Sequence, residues 1–263
     1  WGWVGRGGGA GGGRGRGEGG RGAGGVGRGA GARGDEKTET TLFNLKVNVP
    51  CKMVAFLTLV AATTPSFVYW QDPRIHSLGN GVVHASFARV ATTVIDYLSY
   101  GGRPIRKQVL AQYVPRSHTV IDLCCGTGTS TRYDAIGVDT SAPMLTEARW
   151  RRGPLGMFVL GNAETYGDTN ECDTVTIFFS LHEQPRDARM RVITNALRLA
   201  RKQVVCCDIS PNKIPSRAML AGEPYLLEYQ RNILEDLDNL AVHTTVDVDE
   251  FVPGRVIVAT LRH

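Results

Sequence analysis

The sequence predicts an α/β fold in which a mostly parallel sheet carries helices on both faces and ends in an antiparallel hairpin. From residue 117 onward, short runs rich in β-branched residues alternate with segments of helical spacing, which is typical of a parallel sheet. The last two runs, 241–248 and 255–261, are joined by a turn that contains Pro253 and Gly254. We therefore expect these two runs to pair as antiparallel neighbours.

The elements follow one another in a clear order. Ahead of the sheet, residues 82–97 have the apolar spacing of an amphipathic helix, inside a predicted helical cap of residues 67–116. The domain proper is predicted at 117–263, and its first five strands are expected at 119–123, 135–139, 157–160, 173–179 and 203–208. Helices are expected at 142–151 and 186–200, with a helical insertion at 216–237 that is interrupted at 222–224. Parallel strands end at one shared edge, where such sheets bind their ligands.

The segment 1–52 is predicted to be a disordered extension rich in glycine and arginine. Its first 34 residues hold 19 of the 32 glycines, six arginines and one acid, and such a tract cannot bury enough apolar surface to fold. It resembles RGG-type RNA-binding tails, and the alternative is an upstream extension that is no part of the mature protein. Removing these seven charged residues from the totals of 30 basic and 25 acidic residues leaves 24 of each, so the folded core has no charge excess for nucleic acid.

Residues 53–66 form a possible targeting segment. A ten-residue apolar run followed by small residues has the length of a signal h-region and is too short for a stable membrane span. If the chain starts at Met53 we expect a plastid or secretory location, and otherwise a cytoplasmic one; a buried helix or strand of the domain is the alternative. The six cysteines include no CxxC pair, so they are interpreted as buried thiols and no metal site is predicted.

The stretch VIDLCCGTGTSTR at 120–132 places one acid, Asp122, beside a glycine turn at the end of a predicted strand. Gly126 and Gly128 let the backbone turn sharply and approach a ligand, while the amide groups of the turn can face an anion. A dinucleotide fold prefers a third glycine where Thr131 stands. An acid at this position suits a ligand with both an amino group and a carboxylate, such as the methionine part of S-adenosylmethionine.

Polar residues also follow the next two strands. Asp139, with Thr140 after it, ends the second strand, where a carboxylate can accept the hydroxyls of a ribose. GNAE at 161–164 follows the third strand, where Asn162 or Glu164 could reach the amino group of adenine.

These segments together resemble class I S-adenosylmethionine-dependent methyltransferases, over roughly residues 85–263. The resemblance depends on VIDLCCGTGTSTR, GVDTSAPML, GNAE, CDTVTIFFSLHEQP and VPGRVIVATLRH. It implies a Rossmann-like sheet of seven strands whose last strand is antiparallel. It also implies that Asp122, Gly126 and Gly128 hold the methionine portion, Asp139 the ribose, and Asn162 with Ala163 the adenine. The chain is most similar to small-molecule enzymes of the kind that includes ubiquinone/menaquinone C-methyltransferases.

The sequence departs from the family pattern in two places. Cys124 stands at the family's usual first glycine, within the expected cofactor site. Gly128 and Asp139 are 11 residues apart, whereas the acid on the ribose is expected about 20 residues after the glycine motif. Only one helical turn fits between Thr129 and Tyr133, so the first helix is expected to be truncated.

His182 and Glu183 are the predicted catalytic residues, directly after the fourth strand. A histidine can take a proton from a phenol or an enol near neutral pH, and an adjacent carboxylate can raise its basicity. The alternative is that both residues only cap the helix that begins near Pro185. Segments 66–80 and 221–233 are expected to form a lid over an apolar acceptor or, alternatively, the core of a helical cap. The predicted lid residues are Tyr69, Trp70, Glu223, Tyr225 and Tyr229.

The resulting prediction is an enzyme that transfers a methyl group from S-adenosylmethionine to a small apolar or aromatic acceptor and requires no metal. One alternative is an RNA or protein methyltransferase that uses the Gly/Arg tail as a tether. Another is a non-catalytic cofactor-binding module. The sequence leaves the oligomeric state open.

Overall fold

The computed structural model describes residues 69–71, 81–153, 156–241 and 244–263. The predicted disordered extension, the targeting segment and most of residues 67–80 lie outside the described residues. No helix in the described ranges combines the length and the apolar character needed to cross a bilayer.

Seven strands form one sheet in the order β3-β2-β1-β4-β5-β7-β6. Strands β1 to β5 pair in parallel, and β7 runs antiparallel to both of its neighbours, β5 and β6. This arrangement confirms the predicted fold class, including the antiparallel hairpin. The strands are β1 Val120–Leu123, β2 Ile136–Asp139, β3 Met157–Leu160, β4 Cys172–Phe178, β5 Ala200–Ile209, β6 Thr245–Val252 and β7 Val256–Arg262.

Helices cover both faces of the sheet. On one face, the helices α4 and α6 bury Val192, Ile193, Ile233 and Leu237 against strand residues such as Ile121. On the other face, Ile105 and Val109 pack against Val120, Val205 and Val258. The helices are α1 Val82–Tyr100, α2 Ile105–Tyr113, α3 Ala142–Arg152, α4 Arg186–Leu199, α5 Arg217–Gly222 and α6 Leu226–Leu240.

Three elements outside the first five strands agree with the sequence-based expectation only in part or not at all. The helix α2 was not predicted as a separate element, because only Ile105 and Val109 of its nine residues are buried and its other positions are largely polar. The insertion at 216–237 consists of two helices, and the break between them lies close to the predicted interruption. The first strand of the hairpin begins at Thr245 instead of residue 241, because α6 continues to Leu240.

The connection from β1 to β2 contains no helix. Residues 124–135 form turns and bends, so the expected single helical turn is absent. Arginines at the end of α3 satisfy the carbonyl groups of this connection: Arg151 donates to the oxygen of Thr127, and Arg152 donates to those of Gly128 and Thr131. Because a helix would satisfy these groups internally, the arginine side chains replace part of its hydrogen bonding.

Candidate active site

The turn after β1 uses backbone conformations that favour glycine. Cys124, Gly126 and Gly128 all have positive φ, at 57°, 52° and 68°. A side chain on Gly128 would lie 2.8 Å from the ring of Phe158, whereas one on Gly126 would meet no atom within 4 Å. Gly128 is therefore needed for packing against β3, while Gly126 borders open space that a ligand can occupy. Cys124 adopts the left-handed conformation in spite of its side chain, at a cost in strain.

Asp139 ties this turn to the end of β2. Its Oδ2 accepts a hydrogen bond from the amide of Gly126 at 2.7 Å, and its Oδ1 accepts one from the amide of Ser141 at 2.8 Å. Burial raises the pKa of Asp139, and the two amide groups oppose that rise. A carboxylate has about four acceptor positions, so Asp139 and the neighbouring partly exposed Thr140 can still bind a hydroxyl.

Asp122 lies beneath the turn and not on its surface. Its carboxyl is 1% exposed and accepts hydrogen bonds from the hydroxyls of Thr131, at 2.6 Å, and Thr176, at 2.7 Å. Burial raises the pKa of Asp122 to about 6, although both hydroxyls lower it. Thr131, which stands where a dinucleotide fold prefers glycine, thus anchors the turn. Direct contact between Asp122 and a ligand's amino group stays a prediction.

Two buried oxygen atoms lack a geometric hydrogen-bond donor among the described residues: Oε1 of Gln184, beside the turn, and Oε1 of Glu164, near Tyr69. Gln184 donates to the hydroxyl of Ser180 at 2.9 Å and to Sγ of Cys124 at 3.6 Å, which places its amide against the turn. Glu164 pairs with Arg191 through its other oxygen. Buried acceptors without donors are costly.

S-adenosylmethionine carries the donors that these two acceptors lack. Its amino-acid end has an ammonium group, and its adenine has an amino group. Gln184, which sequence reasoning did not identify, and Glu164, which it did, therefore have the chemistry to accept from these groups, and their contact with the cofactor stays a prediction.

The GNAE segment forms a tight turn after β3. Oδ1 of Asn162 accepts a hydrogen bond from the amide of Glu164 at 2.9 Å, and the carbonyl of Ala163 accepts one from Asn195 at 2.8 Å. Asn162 and Ala163 therefore shape the turn that presents Glu164. Contact of either residue with adenine stays a prediction.

His182 forms a buried pair with Asp208. The histidine lies on a 3-10 helix, Leu181–Glu183, just after β4, and its Nδ1 is 2.5 Å from Oδ1 of Asp208 near the end of β5. Asp208 also accepts hydrogen bonds from the amides of Leu181, at 2.8 Å, and His182, at 3.3 Å. Sequence reasoning did not identify Asp208, although an acid within the apolar run QVVCCDI is the same signal that marked Asp122.

Two further carboxylates approach the opposite nitrogen of this ring. Nε2 of His182 is 3.9 Å from Oε1 of Glu183 and 3.8 Å from Oε2 of Glu223, which lies between α5 and α6. Burial lowers the pKa of His182, but Asp208, Glu223 and Glu183 together raise it to about 9. Nε2 of His182 therefore faces two carboxylates, and a catalytic role for this ring stays a prediction.

The predicted lid residues occupy different environments. Glu223 lies beside His182, and Tyr225 is partly exposed at the start of α6. Tyr69 and Trp70 contact each other edge to face at 5.0 Å, and burial, followed by the nearby Cys124 and Glu164, raises the pKa of Tyr69. Tyr69 therefore lies close to the turn. Tyr229 is a correction: it is fully buried, and its hydroxyl donates to the carbonyl of Ile209 at 2.9 Å, so it belongs to the core and not to a lid.

The central part of the chain matches a known protein-family model. Residues 120–203 match a family model described as a methyltransferase domain, and this segment extends from β1 into β5. A search of curated proteins found no match.

Solved structures are similar to this chain at low sequence identity, and the DhpI complex shares its fold. The DhpI complex with SAH is 17% identical, covers 74% of this chain and 98% of its own, and has a TM-score of 0.51. A SAM-dependent methyltransferase from Aquifex aeolicus is 18% identical, with coverage of 60% and 88% and a TM-score of 0.46. Magnesium protoporphyrin IX methyltransferase (ChlM) from Synechocystis PCC 6803 with bound SAH is also 18% identical, with coverage of 60% and 80% and a TM-score of 0.43.

Proposed function

We propose that this chain, an enzyme with an S-adenosylmethionine-dependent methyltransferase domain, methylates a small apolar or aromatic acceptor at an oxygen or carbon atom. The enzyme class and the cofactor are those predicted from the sequence. The acceptor class is also the one predicted from the sequence, and it is the part that is proposed.

The observation that supports this proposal most directly is the negative charge around His182. Asp208, Glu183 and Glu223 all approach this one imidazole, so the group has an excess of negative charge even when the ring is protonated. Because like charges repel most strongly where water is excluded, an anionic acceptor such as a nucleic-acid phosphate is disfavoured here. A neutral acceptor meets no such penalty.

The residues of the turn have defined roles toward the cofactor. When bound, S-adenosylmethionine would supply a sulfonium-activated methyl group for in-line transfer to a nucleophile, with S-adenosylhomocysteine as the leaving group. Gly126 leaves room for the amino-acid end, Asp139 accepts the ribose hydroxyls, and Glu164 accepts the adenine amino group. Orientation of two reactants by such contacts can account for about 7 to 11 kcal/mol of barrier lowering.

The residues after β4 are proposed to orient the acceptor. His182 and Glu183 follow the strand that lies next to β1, so they are close to the turn that holds the cofactor. Tyr69, Trp70 and Tyr225 offer partly exposed aromatic surface, which can enclose a planar acceptor and exclude water. This combination supports the small-molecule type that includes ubiquinone/menaquinone C-methyltransferases.

Transfer of a radiolabelled methyl group tests the proposal. The full chain is incubated with labelled S-adenosylmethionine and, in separate reactions, with phenols, quinols, total RNA and a protein extract. We expect label in the organic extract of the phenol or quinol reactions. Label found only in RNA or only in protein would overturn the acceptor class while leaving the enzyme class intact.

A further inference from the structure

The cluster around His182 contains a set of metal-ligand atoms that the methyltransferase fold does not explain. We propose that Nε2 of His182, Oε1 of Glu183 and Oε2 of Glu223 bind one divalent transition-metal ion. These three atoms lie within 4.8 Å of one another. The sequence analysis predicted no metal, since Glu223 is distant from the other two residues in the sequence and only the fold brings it to them.

The distances require little rearrangement. The histidine nitrogen is 3.9 and 3.8 Å from the two carboxylate oxygens. Two ligands that are each about 2.1 Å from a tetrahedral ion lie about 3.4 Å apart. Movements of about half an ångström would bring the histidine nitrogen to that separation from each oxygen, and the two oxygens lie within 4.8 Å of each other.

The histidine is aimed into this site. Its residue is 5% exposed, and the hydrogen bonds of the described residues include none at Nε2. Nδ1 is held by Asp208, so the ring presents Nε2 to the two carboxylates. A carboxylate on the far nitrogen of a ligating histidine is the usual second partner in such sites, because it fixes the orientation of the ring.

The rigid surroundings of the ring support the same assignment. Asp208 accepts two further hydrogen bonds from the amides of Leu181 and His182, so its carboxylate is itself fixed. The edge of the ring also packs against Tyr229, at a centroid distance of 6.2 Å. A preorganised imidazole loses little freedom when it binds an ion.

The donor set indicates the class of ion. One imidazole and two carboxylates suit Zn²⁺ and neighbouring transition metals, whereas Mg²⁺ and Ca²⁺ prefer oxygen ligands alone. Three protein ligands leave a coordination position open, as in catalytic sites. An ion there would orient and polarise an acceptor oxygen. That consequence rests on the proposed function, but the binding of the ion does not.

Titration of the metal-free full chain with Co²⁺ tests the inference. We expect one equivalent to bind, with the visible absorption of a low-coordinate site and no thiolate charge-transfer band, and we expect Zn²⁺ to displace it. The Glu223→Gln and Glu183→Gln variants should each lose roughly ten-fold or more in affinity, and Asp208→Asn about 10- to 100-fold. Glu235→Gln, which removes an exposed carboxylate of α6, should bind Co²⁺ as the wild type does.

Several results would overturn the site. These are the absence of stoichiometric binding, a thiolate band, or unchanged affinity in both Glu183→Gln and Glu223→Gln variants that retain the circular dichroism spectrum of the wild type. A parallel titration with S-adenosylhomocysteine separates the two proposals. Binding of S-adenosylhomocysteine without binding of Co²⁺ would overturn the metal site alone. Binding of Co²⁺ without binding of S-adenosylhomocysteine would support the metal site and overturn the proposed function.

Discussion

The amide of Gly126 donates a hydrogen bond of 2.7 Å to the carboxylate of Asp139, and this bond joins the turn after β1 to the end of β2. No helix separates these two segments, so the acid holds the turn directly. The same bond leaves the outer side of Gly126 facing open space. One carboxylate can thus shape the cofactor site and bind part of the cofactor.

Gly128 is expected to be essential for stability and not for contact with a ligand. In Gly128→Ala the new methyl group would lie 2.8 Å from Phe158, which forces a shift in the core and should cost about 1 to 3 kcal/mol of unfolding free energy. Gly101→Ala is the control, since Gly101 has a left-handed conformation with a similar φ of 62° but nothing within 4 Å. Urea unfolding should show the larger loss for Gly128→Ala. Equal losses would mean that Phe158 does not confine this glycine.

Asp122 should make the stability of the fold depend on pH. Its pKa is raised to about 6 from a usual value near 3.8, so the carboxyl binds a proton more tightly in the folded state. Its contribution to stability is complete below about pH 4 and is lost as the pH rises through about 6. Asp122→Asn removes this dependence and should gain up to about 3 kcal/mol over the wild type at pH 7.5, but little at pH 4.

Urea unfolding of both proteins at the two pH values measures the effect of Asp122. The exposed Asp168 supplies a control, because Asp168→Asn should change stability equally at both. If the difference in unfolding free energy between Asp122→Asn and the wild type did not increase with pH, the result would contradict the raised pKa of Asp122.

Glu183 is expected to affect turnover more than cofactor binding. Its carboxylate lies beside His182, which is proposed to orient the acceptor. Glu183→Gln should lower kcat by roughly ten-fold or more while the Kd for S-adenosylhomocysteine stays within about two-fold, because only the contact with the reacting acceptor is lost. Glu235→Gln serves as the control. A matching loss in nucleoside affinity would place Glu183 in the cofactor site instead.

Arg152 is expected to stabilise the connection that replaces the first helix. Its guanidinium donates to the carbonyls of Gly128 and Thr131. Arg152→Met keeps most of the alkyl chain but leaves these carbonyls without their donor, so it should cost about 1 to 3 kcal/mol and weaken cofactor binding. Arg116→Met, at an exposed arginine, should neither lower stability nor weaken cofactor binding. Thermal and urea unfolding with a nucleoside titration would show an unchanged protein if the arginine contacts were dispensable.

Much of the sheet could be predicted because its signals are local. Apolar runs such as 120–123, separated by helical spacing, predicted the strands and the edge on which their polar neighbours lie. The positive φ of Cys124 was not predicted, because a cysteine rarely adopts the left-handed conformation.

The remaining features depend on contacts between distant segments. The pairing of Glu223 with His182 and the arginine contacts to the turn have no sequence signature, since each joins residues more than 20 positions apart. The burial of Tyr229 is a further example, because a tyrosine near a helix start suits a lid as well as a core. The length of the β1 to β2 connection was visible, but the way its carbonyls are satisfied was not.

Calorimetric titration with S-adenosylhomocysteine tests the central claim, that the cofactor lies against the open side of Gly126. We expect the wild type to bind S-adenosylhomocysteine at one site. Gly126→Ala should lose roughly ten-fold or more in affinity, equal to about 1.4 kcal/mol, whereas Gly153→Ala should keep the affinity of the wild type. Both variants place an alanine at a positive φ with free space around it, and Gly153 follows α3, outside the glycine turn. Equal affinity of all three proteins, or no binding to the wild type, would contradict the account.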